Sequence, residues 1–308
     1  MINVFASLVS EKKEVENILS HIPTTDIITR ISFQNRLEEI QKELAQLPAE
    51  ANASETVKIT FRGAPVVGTH GIFVDFATKA ASIFSDAFTA IMAGNEDLRY
   101  MGPIPNKQQN RLLITGIAIG SFGFEFELPQ DSDNQEDLFL QEKKAASAMK
   151  KMQNLFIKST QGTDDDLSEI VDEIHPRAVK KVAEFFEYLI QQQAWCGMEF
   201  RKQSFKFLNL SEIQTSFDRI KEENIKISEN EYTGCFQGIL PKGRTFEFKD
   251  SNTNNVIKGK IDVAIEDPGE LNRTFLGKHV KTRFTVIQVG HGKPNFTLKK
   301  IDDITYLT

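Results

Sequence analysis

The chain predicts an α+β protein in three parts: an N-terminal helical hairpin, a central α+β domain, and a C-terminal five-stranded small barrel of OB-like or SH3-like type. Three observations carry this. Five β-patterned runs between Glu231 and Thr308 leave room for one helix, Pro268 to Leu276, between the third run and the fourth. Apolar residues recur at alternating spacings of three and four through the first fifty residues. Between these two regions, strand-like alternation mixes with long amphipathic runs, as in a sheet with helices packed on it. The expected boundaries are 1–50, 55–225 and 226–308.

In the first part Phe5, Leu8, Lys12, Val15, Leu19 and Ile22 make one heptad seam, and Phe33, Leu37, Ile40, Leu44 and Leu47 make a second. The connection from Pro23 to Ser32 is short enough for an antiparallel hairpin. Each seam can close on the other or on a second subunit, so the helices are also a candidate self-association element. Pro48 to Ser54 reads as a linker.

The central part opens with a strand at Val57, Ile59 and Phe61, followed by a glycine-rich loop from Gly63 to Gly71. A helix from Ile72 to Met92 has apolar residues on several sides, including Phe73, Phe76, Phe84 and Phe88, and must be covered by more than one neighbour. Leu112 to Ile119 and Phe122 to Leu128 form a hairpin about Gly120-Ser121, with Phe122, Phe124 and Phe126 facing one way and Glu125 and Glu127 the other. Helices are expected over Gln135 to Lys158 and Pro176 to Gln193, and a second hairpin over Met198 to Phe207. Ser211-Glu212-Ile213-Gln214 has capping-box spacing and opens a short helix to about Glu223.

The barrel runs are Tyr232 to Leu240, Arg244 to Lys249, Val256 to Val263, Val280 to Val289 and Phe296 to Ile301. Turn residues separate them, Pro241-Lys242-Gly243 and Gly290-His291-Gly292-Lys293-Pro294 among others. Asp267 caps the intervening helix and Pro268 takes its first position, where a missing N–H costs nothing.

Composition bounds the function. With 40% hydrophobic and 26% charged residues the chain is of ordinary globular type. No apolar run approaches the roughly 20 residues that span a bilayer, and Glu11, Lys12, Lys13 and Glu14 exclude a secretory leader, so a cytoplasmic protein without a membrane partner is expected. Cys196 and Cys235 have no CxxC neighbour and read as buried free thiols. The five histidines form no HxxxH pair, so neither metal nor cofactor is expected.

The net charge of −6 argues against a protein that coats duplex nucleic acid. It is unevenly spread. From Lys226 onward 13 Lys/Arg face 10 Asp/Glu, whereas the preceding residues hold 24 against 33. The basic candidates for a nucleic-acid contact on the barrel are Lys258, Lys260, Lys281, Arg283 and Lys293.

The strand-loop-helix setting of Gly63 to Gly71 suits an anion held by backbone N–H groups, with Gly68, Thr69, His70 and Gly71 as ligand candidates. It matches neither a Walker A loop nor a GxGxxG fingerprint. Asp75, one turn into the helix, is placed by sequence to pair with His70. Asp164-Asp165-Asp166, with Glu169, Asp172 and Glu173, lacks EF-hand spacing and reads as a solvated acidic helix start. No catalytic residue is assigned.

Four segments together carry a resemblance: Gly63 to Ala80, Gly102-Pro103-Ile104-Pro105, the hairpin from Arg111 to Glu127, and Gly234 to Phe248 with its Gly238-Ile239-Leu240-Pro241-Lys242-Gly243-Arg244 core. Over nearly the whole chain this resembles a group of bacterial cytosolic proteins with a C-terminal small β-barrel and no assigned function. The resemblance implies a bacterial cytosolic origin and a multi-domain layout, and carries no ligand or catalytic residue across. Groups of this kind sometimes belong to phage-defence or toxin–antitoxin operons, and that setting comes with it as an expectation.

The resulting expectation is a non-enzymatic binding or assembly protein. Its barrel would contact single-stranded nucleic acid or a protein partner, and the chain would form a homo-oligomer. The alternative is an enzyme with its pocket at the Gly63 to Asp75 junction.

Overall fold

The computed structural model describes residues 4–23, 26–46, 55–99, 101–118, 122–129 and 135–307. Helices α1 (Val4–His21) and α2 (Ile27–Gln46) pack antiparallel on one another. Leu8, Val15 and Ile40 are buried between them, and Leu19, Phe33 and Leu37 close the seam. The Arg36 guanidinium donates to both Glu11 carboxylate oxygens, at 2.8 and 3.1 Å, which fixes their register. These heptad positions are therefore satisfied within one chain. The side chains of Phe5 and Leu44, and all of 47–54 with the expected linker, lie outside the described residues.

The central body begins with β1 (Thr56–Gly63), a two-residue hairpin of β2 (Val66–Val67) and β3 (Gly71–Ile72), and helix α3 (Val74–Asp97). The glycine-rich stretch is thus not an open loop, because half of it is paired. Along α3, Phe76, Ala80, Phe84, Ala87 and Phe88 are buried; Phe73 precedes the helix and is exposed, contrary to its expected place in the core. Gly94, at φ +72°, interrupts the helix one turn before its end.

Next come β4 (Leu113–Ala118), β5 (Phe122–Glu127), α4 (Gln135–Gln161), α5 (Asp164–Asp172), α6 (Pro176–Gln191), β6 (Ala194–Phe200), β7 (Gln203–Lys206) and α7 (Leu210–Ile220). The turn at Gly120-Ser121 lies outside the described residues. β4-β5-β1-β6-β7 form one antiparallel sheet with β1 at its centre. Val57, Ile59 and Phe61 of β1 are fully buried while Lys58 and Arg62 are exposed, so one face is packed under helices and the other faces water. Phenylalanines join the layers: Phe84 of α3 stacks on Phe126 of β5 at 5.5 Å, and Phe156 of α4 meets Phe186 of α6 edge-on at 4.8 Å. Glu127 is buried, contrary to the expected solvated face. The cap of α7 is also corrected. Asn209, two residues before Ser211, accepts the Glu212 amide at 3.0 Å, while the Glu212 carboxylate reaches back to the Leu208 amide.

The C-terminal strands are β8 (Ile225–Leu240), β9 (Thr245–Asp250), β10 (Val256–Ile261), β11 (His279–Val289) and β12 (Asn295–Leu298), with helix α8 (Pro268–Phe275) between the third and fourth. Pairing in the order β8-β9-β10-β12-β11 and back to β8 closes a five-stranded barrel. The β10–β12 pair is parallel, and the other pairs are antiparallel. A short sixth strand, β13 (Ile304–Tyr306), pairs outside the ring with β11 and was not expected. Phe236, Phe246, Phe248 and Phe284 fill the barrel, and Leu271 and Phe275 of α8 join the same core. Gly259 makes room for them: a Cβ there would lie 2.3 Å from the Phe246 ring and 2.6 Å from the Phe296 carbonyl.

β8 starts seven residues before its expected Tyr232, because Ile225 to Glu231 pair with Arg283 to Val289 of β11. The far ends of this ribbon leave the barrel. Ile287 and Val289 are buried in the central core, with Ile225 packed against it.

The join is tightened by α5, and the three aspartates read as a solvated start are each engaged. Asp166 forms a capping box with Thr163. Asp164 accepts from Arg219 at 2.9 Å and from the His291 amide at 3.2 Å; Asp165 accepts the Lys293 amide at 2.6 Å. At the other end of α5, Asp172 accepts from the Thr297 hydroxyl at 3.1 Å. An acidic helix thus grips the 290–294 loop and β12. The hydrogen bond from Arg219 holds the Asp164 carboxyl below the usual carboxylate range, and Lys158 with Thr163 does the same to Asp166.

Two outcomes follow. Gly259→Ala should destabilise the fold by about 2 to 3 kcal/mol through overpacking, while Gly71→Ala, whose Cβ would meet open space, should cost under about 0.5, both read by urea denaturation. Because both carboxyl pKa values are depressed in the folded state, the stability they confer is present above the unfolded-state pKa of about 3.9 and is lost as pH falls through the folded values. Asp164→Asn should therefore cost about 1 to 2 kcal/mol at neutral pH and speed hydrogen exchange at His291, with the difference from wild type vanishing in acid.

Candidate functional site

The predicted anion loop becomes the tip of the β2–β3 hairpin. Gly68 takes φ +55°, and the His70 amide donates to the Val67 carbonyl at 2.9 Å to close the turn. Thr69 and His70 are exposed. α3 starts only at Val74, and the Asp75 carboxylate accepts from the adjacent Phe76 amide at 2.9 Å. Among the described residues no hydrogen bond or ion pair joins His70 to Asp75. Gly68, Thr69, His70 and Gly71 are brought together, but around a turn and not around a cradle.

The basic candidates on the barrel are dispersed. Lys258 and Lys260 lie on β10, Lys281 and Arg283 on β11, and these two strands are not neighbours. Most already face carboxylates. Lys258 pairs with Glu247 at 2.9 Å, and Lys281 and Arg283 both pair with Glu231, at 2.6 and 3.3 Å. Those hydrogen bonds, Lys281 first, pull the Glu231 carboxyl below its ordinary value. Lys293 is held by its backbone amide in the Asp165 contact.

Lys260 has a different setting. It opens onto a cleft of about 680 Å³ between the barrel and the layer formed by α3, α4 and the end of α5. Five cationic side chains from separate segments line it: Lys144 and Lys151 of α4, Arg244 at the start of β9, Lys260 of β10 and Lys299 after β12. Three carboxylates oppose them: Asp172, Glu173 and Asp262. Lys299 pairs with Asp262 at 2.6 Å and Lys260 approaches Asp172 to 3.8 Å. Burial opposes ionisation of Asp262, yet Lys299 and the Ala264 amide hold its pKa below the usual range.

Of the other three cations, Lys144 and Lys151 make no ion pair among the described residues, while Arg244 lies near enough to Asp262 to help lower its carboxyl pKa. Arg244 donates to the carbonyls of Ile261, Asp262 and Ile265, which fixes its guanidinium at the barrel end. Lys151 donates to the Glu173 carbonyl at 3.0 Å, and Lys144 is exposed at the cleft mouth. His175, also in the lining, caps α6 by accepting the Arg177 amide; burial, then the nearby Arg177, lowers its pKa, so the imidazole is neutral at physiological pH.

Neither Lys144 nor Lys151 was singled out from sequence. They stand seven residues apart on α4, a spacing that returns to the same helix face, and that pattern was the available signal. A second groove, of about 610 Å³, runs beside β7, where Lys206 and Glu212 balance each other and no charge accumulates. Cys196 is buried, which pushes its thiol pKa well up; Cys235 is only half-buried, contrary to expectation. Among the described residues no three His, Cys, Asp or Glu side chains are placed to hold a metal ion, and no helix is long and apolar enough to cross a membrane.

For the hairpin tip, Gly68→Val should cost about 1 to 2 kcal/mol through its left-handed backbone, whereas His70→Ala should leave the thermal midpoint unchanged. Paired melting curves of the two variants check this. No protein-family model, curated protein or solved structure matches this chain.

Proposed function

We propose that the protein is a non-catalytic binding protein whose barrel is OB-like and whose ligand is a phosphate-bearing chain, single-stranded nucleic acid, held in the cleft beside Lys260. The parallel pairing of the third and fifth strands, with a helix between the third and fourth, supports OB-like over SH3-like topology. In such barrels ligands lie over the second and third strands and the loop joining the first two. Here that region contributes Gly243, Arg244, Thr245 and Lys260 to the cleft wall.

The observation that carries the proposal is the convergence on this cleft of five cations against three carboxylates, with Lys144 and Lys151 making no ion pair among the described residues. An enclosed concentration of positive charge attracts polyanions more strongly than the same charges spread over a surface. No Phe, Tyr or Trp lines the cleft, so backbone phosphates, not stacked bases, are the groups recognised. This moves the contact away from Lys258, Lys281 and Arg283, three cations that already pair with two carboxylates, Glu247 and Glu231.

Fluorescence anisotropy with a labelled single-stranded oligonucleotide at low salt tests the proposal. Lys144→Gln with Lys151→Gln should weaken binding at least tenfold for all sequences alike. The plot of log affinity against log salt should flatten by about 1.4, or about 0.7 for each lost phosphate contact. Lys258→Gln should change neither quantity. Absence of binding by the wild-type chain at low salt, or an equal loss with Lys258→Gln, overturns it.

A further inference from the structure

We propose that β4, the edge strand of the central sheet, pairs antiparallel with β4 of a second copy of this chain. β4 hydrogen-bonds to β5 on one side, and among the described residues no strand lies on the other. Leu113, Ile114 and Ile117 are 52%, 51% and 61% exposed, three aliphatic side chains within a six-residue strand. Edge strands are normally blunted by lysine, proline or inward-pointing charge. Leu113-Ile114-Thr115-Gly116-Ile117-Ala118 contains no lysine, proline or charge, and the one blunting device it carries is a bulge at Thr115.

The irregularity in this strand sharpens the point. The register shifts between Ile114 and Gly116, leaving Thr115 as the extra residue. Ile114 consequently stands opposite Phe126, and Ile117 opposite Phe124. In a regular strand residues three apart point to opposite faces. The bulge instead puts both isoleucines on the Phe126 face, where Phe84 of α3 covers the sheet further in. The apolar face therefore continues past its helical cover to the free edge.

A second copy fits this edge because the strand is self-complementary. Antiparallel pairing about a two-fold axis between Thr115 and Gly116 sets Ile114 of one copy against Ile117 of the other, twice. No like charges meet, since the strand has none. Such a contact is isologous and closes on itself, giving a dimer and not a fibre. Among the described residues the heptad seam of α1 and α2 packs on itself within the chain, with Ile27, Ile28 and Ile31 of α2 exposed beside it. Six paired residues bury less surface than the roughly 1,200 Å² of a standard stable interface, so the dimer forms and dissociates with concentration.

Sedimentation of the full chain over a concentration series should show the mass rising from one to two copies, with amide exchange across Leu113 to Ala118 slowing in step. Ile117→Lys changes an exposed residue and should leave the melting curve in place while holding the chain monomeric at every concentration; Ile114→Lys should do the same. A wild-type chain that stays monomeric throughout overturns the proposal. So does a dimer that persists in both variants, or one that forms without protecting the β4 amides.

Discussion

Placement of the barrel depends on one short acidic helix. α5 presents Asp164 and Asp165 to the backbone amides of the 290–294 loop and Asp172 to Thr297, while Arg219 ties Asp164 back to α7. Carboxylates accepting backbone N–H donors make short, strong hydrogen bonds, and two of them on one loop fix its orientation as well as its position. The ribbon of β8 and β11 supplies the apolar part of the same joint, with Ile287 and Val289 in the central core. Without this joint, Lys144 and Lys151 on one body would have no fixed relation to Arg244 and Lys260 on the other, and the cleft would not exist.

Alternation and turn chemistry were enough to read most of the barrel. Phe246 and Phe248 share the inner face as their spacing implies, and the Asp267-Pro268 signal placed α8 correctly. Gly259, conspicuous as a glycine in an apolar stripe, is explained by the Phe246 ring it admits. The long start of β8 was illegible for a physical reason. Lys226, Ser228, Glu229 and Asn230 bury no side chain, and the strand is held by backbone pairing to β11, which leaves no apolar period. The N-cap of α7 was misplaced because Asn209 and Ser211 are both good caps, and only the position of the Glu212 amide chooses between them.

Charge was the harder quantity to read. Counted along the chain, the basic excess belongs to the C-terminal residues, which favoured Lys258, Lys281 and Arg283. In space, Glu247 sits directly across from Lys258 and Glu231 across from Arg283, with Lys281 reaching Glu231 on the diagonal, a register no linear count contains. The acidic remainder of the chain misled in the opposite direction. Its α5 carboxylates are engaged with backbone amides, hydroxyls and Arg219, and the same region contributes Lys144 and Lys151 to the cleft. Net charge by segment thus contains no information on which cations already face a carboxylate in the folded chain.

The carboxylates Asp172 and Asp262 and the His175 imidazole of the cleft are taken up by structural contacts. Acid–base catalysis needs a titratable group free to take up or release a proton near the operating pH. Asp262 is pulled below the carboxylate range while bound to Lys299, Asp172 is committed to Thr297 and Lys260, and the His175 ring nitrogen caps α6. Each of these groups is engaged by a structural partner. Lys144, Lys151 and Arg244 stand in the same lining, Arg244 fixed by three backbone carbonyls and Lys151 by one. The proposed polyanion would meet cations held on a fixed wall and carboxyl and imidazole groups already committed to the fold, which is why binding is the reading proposed for this cleft.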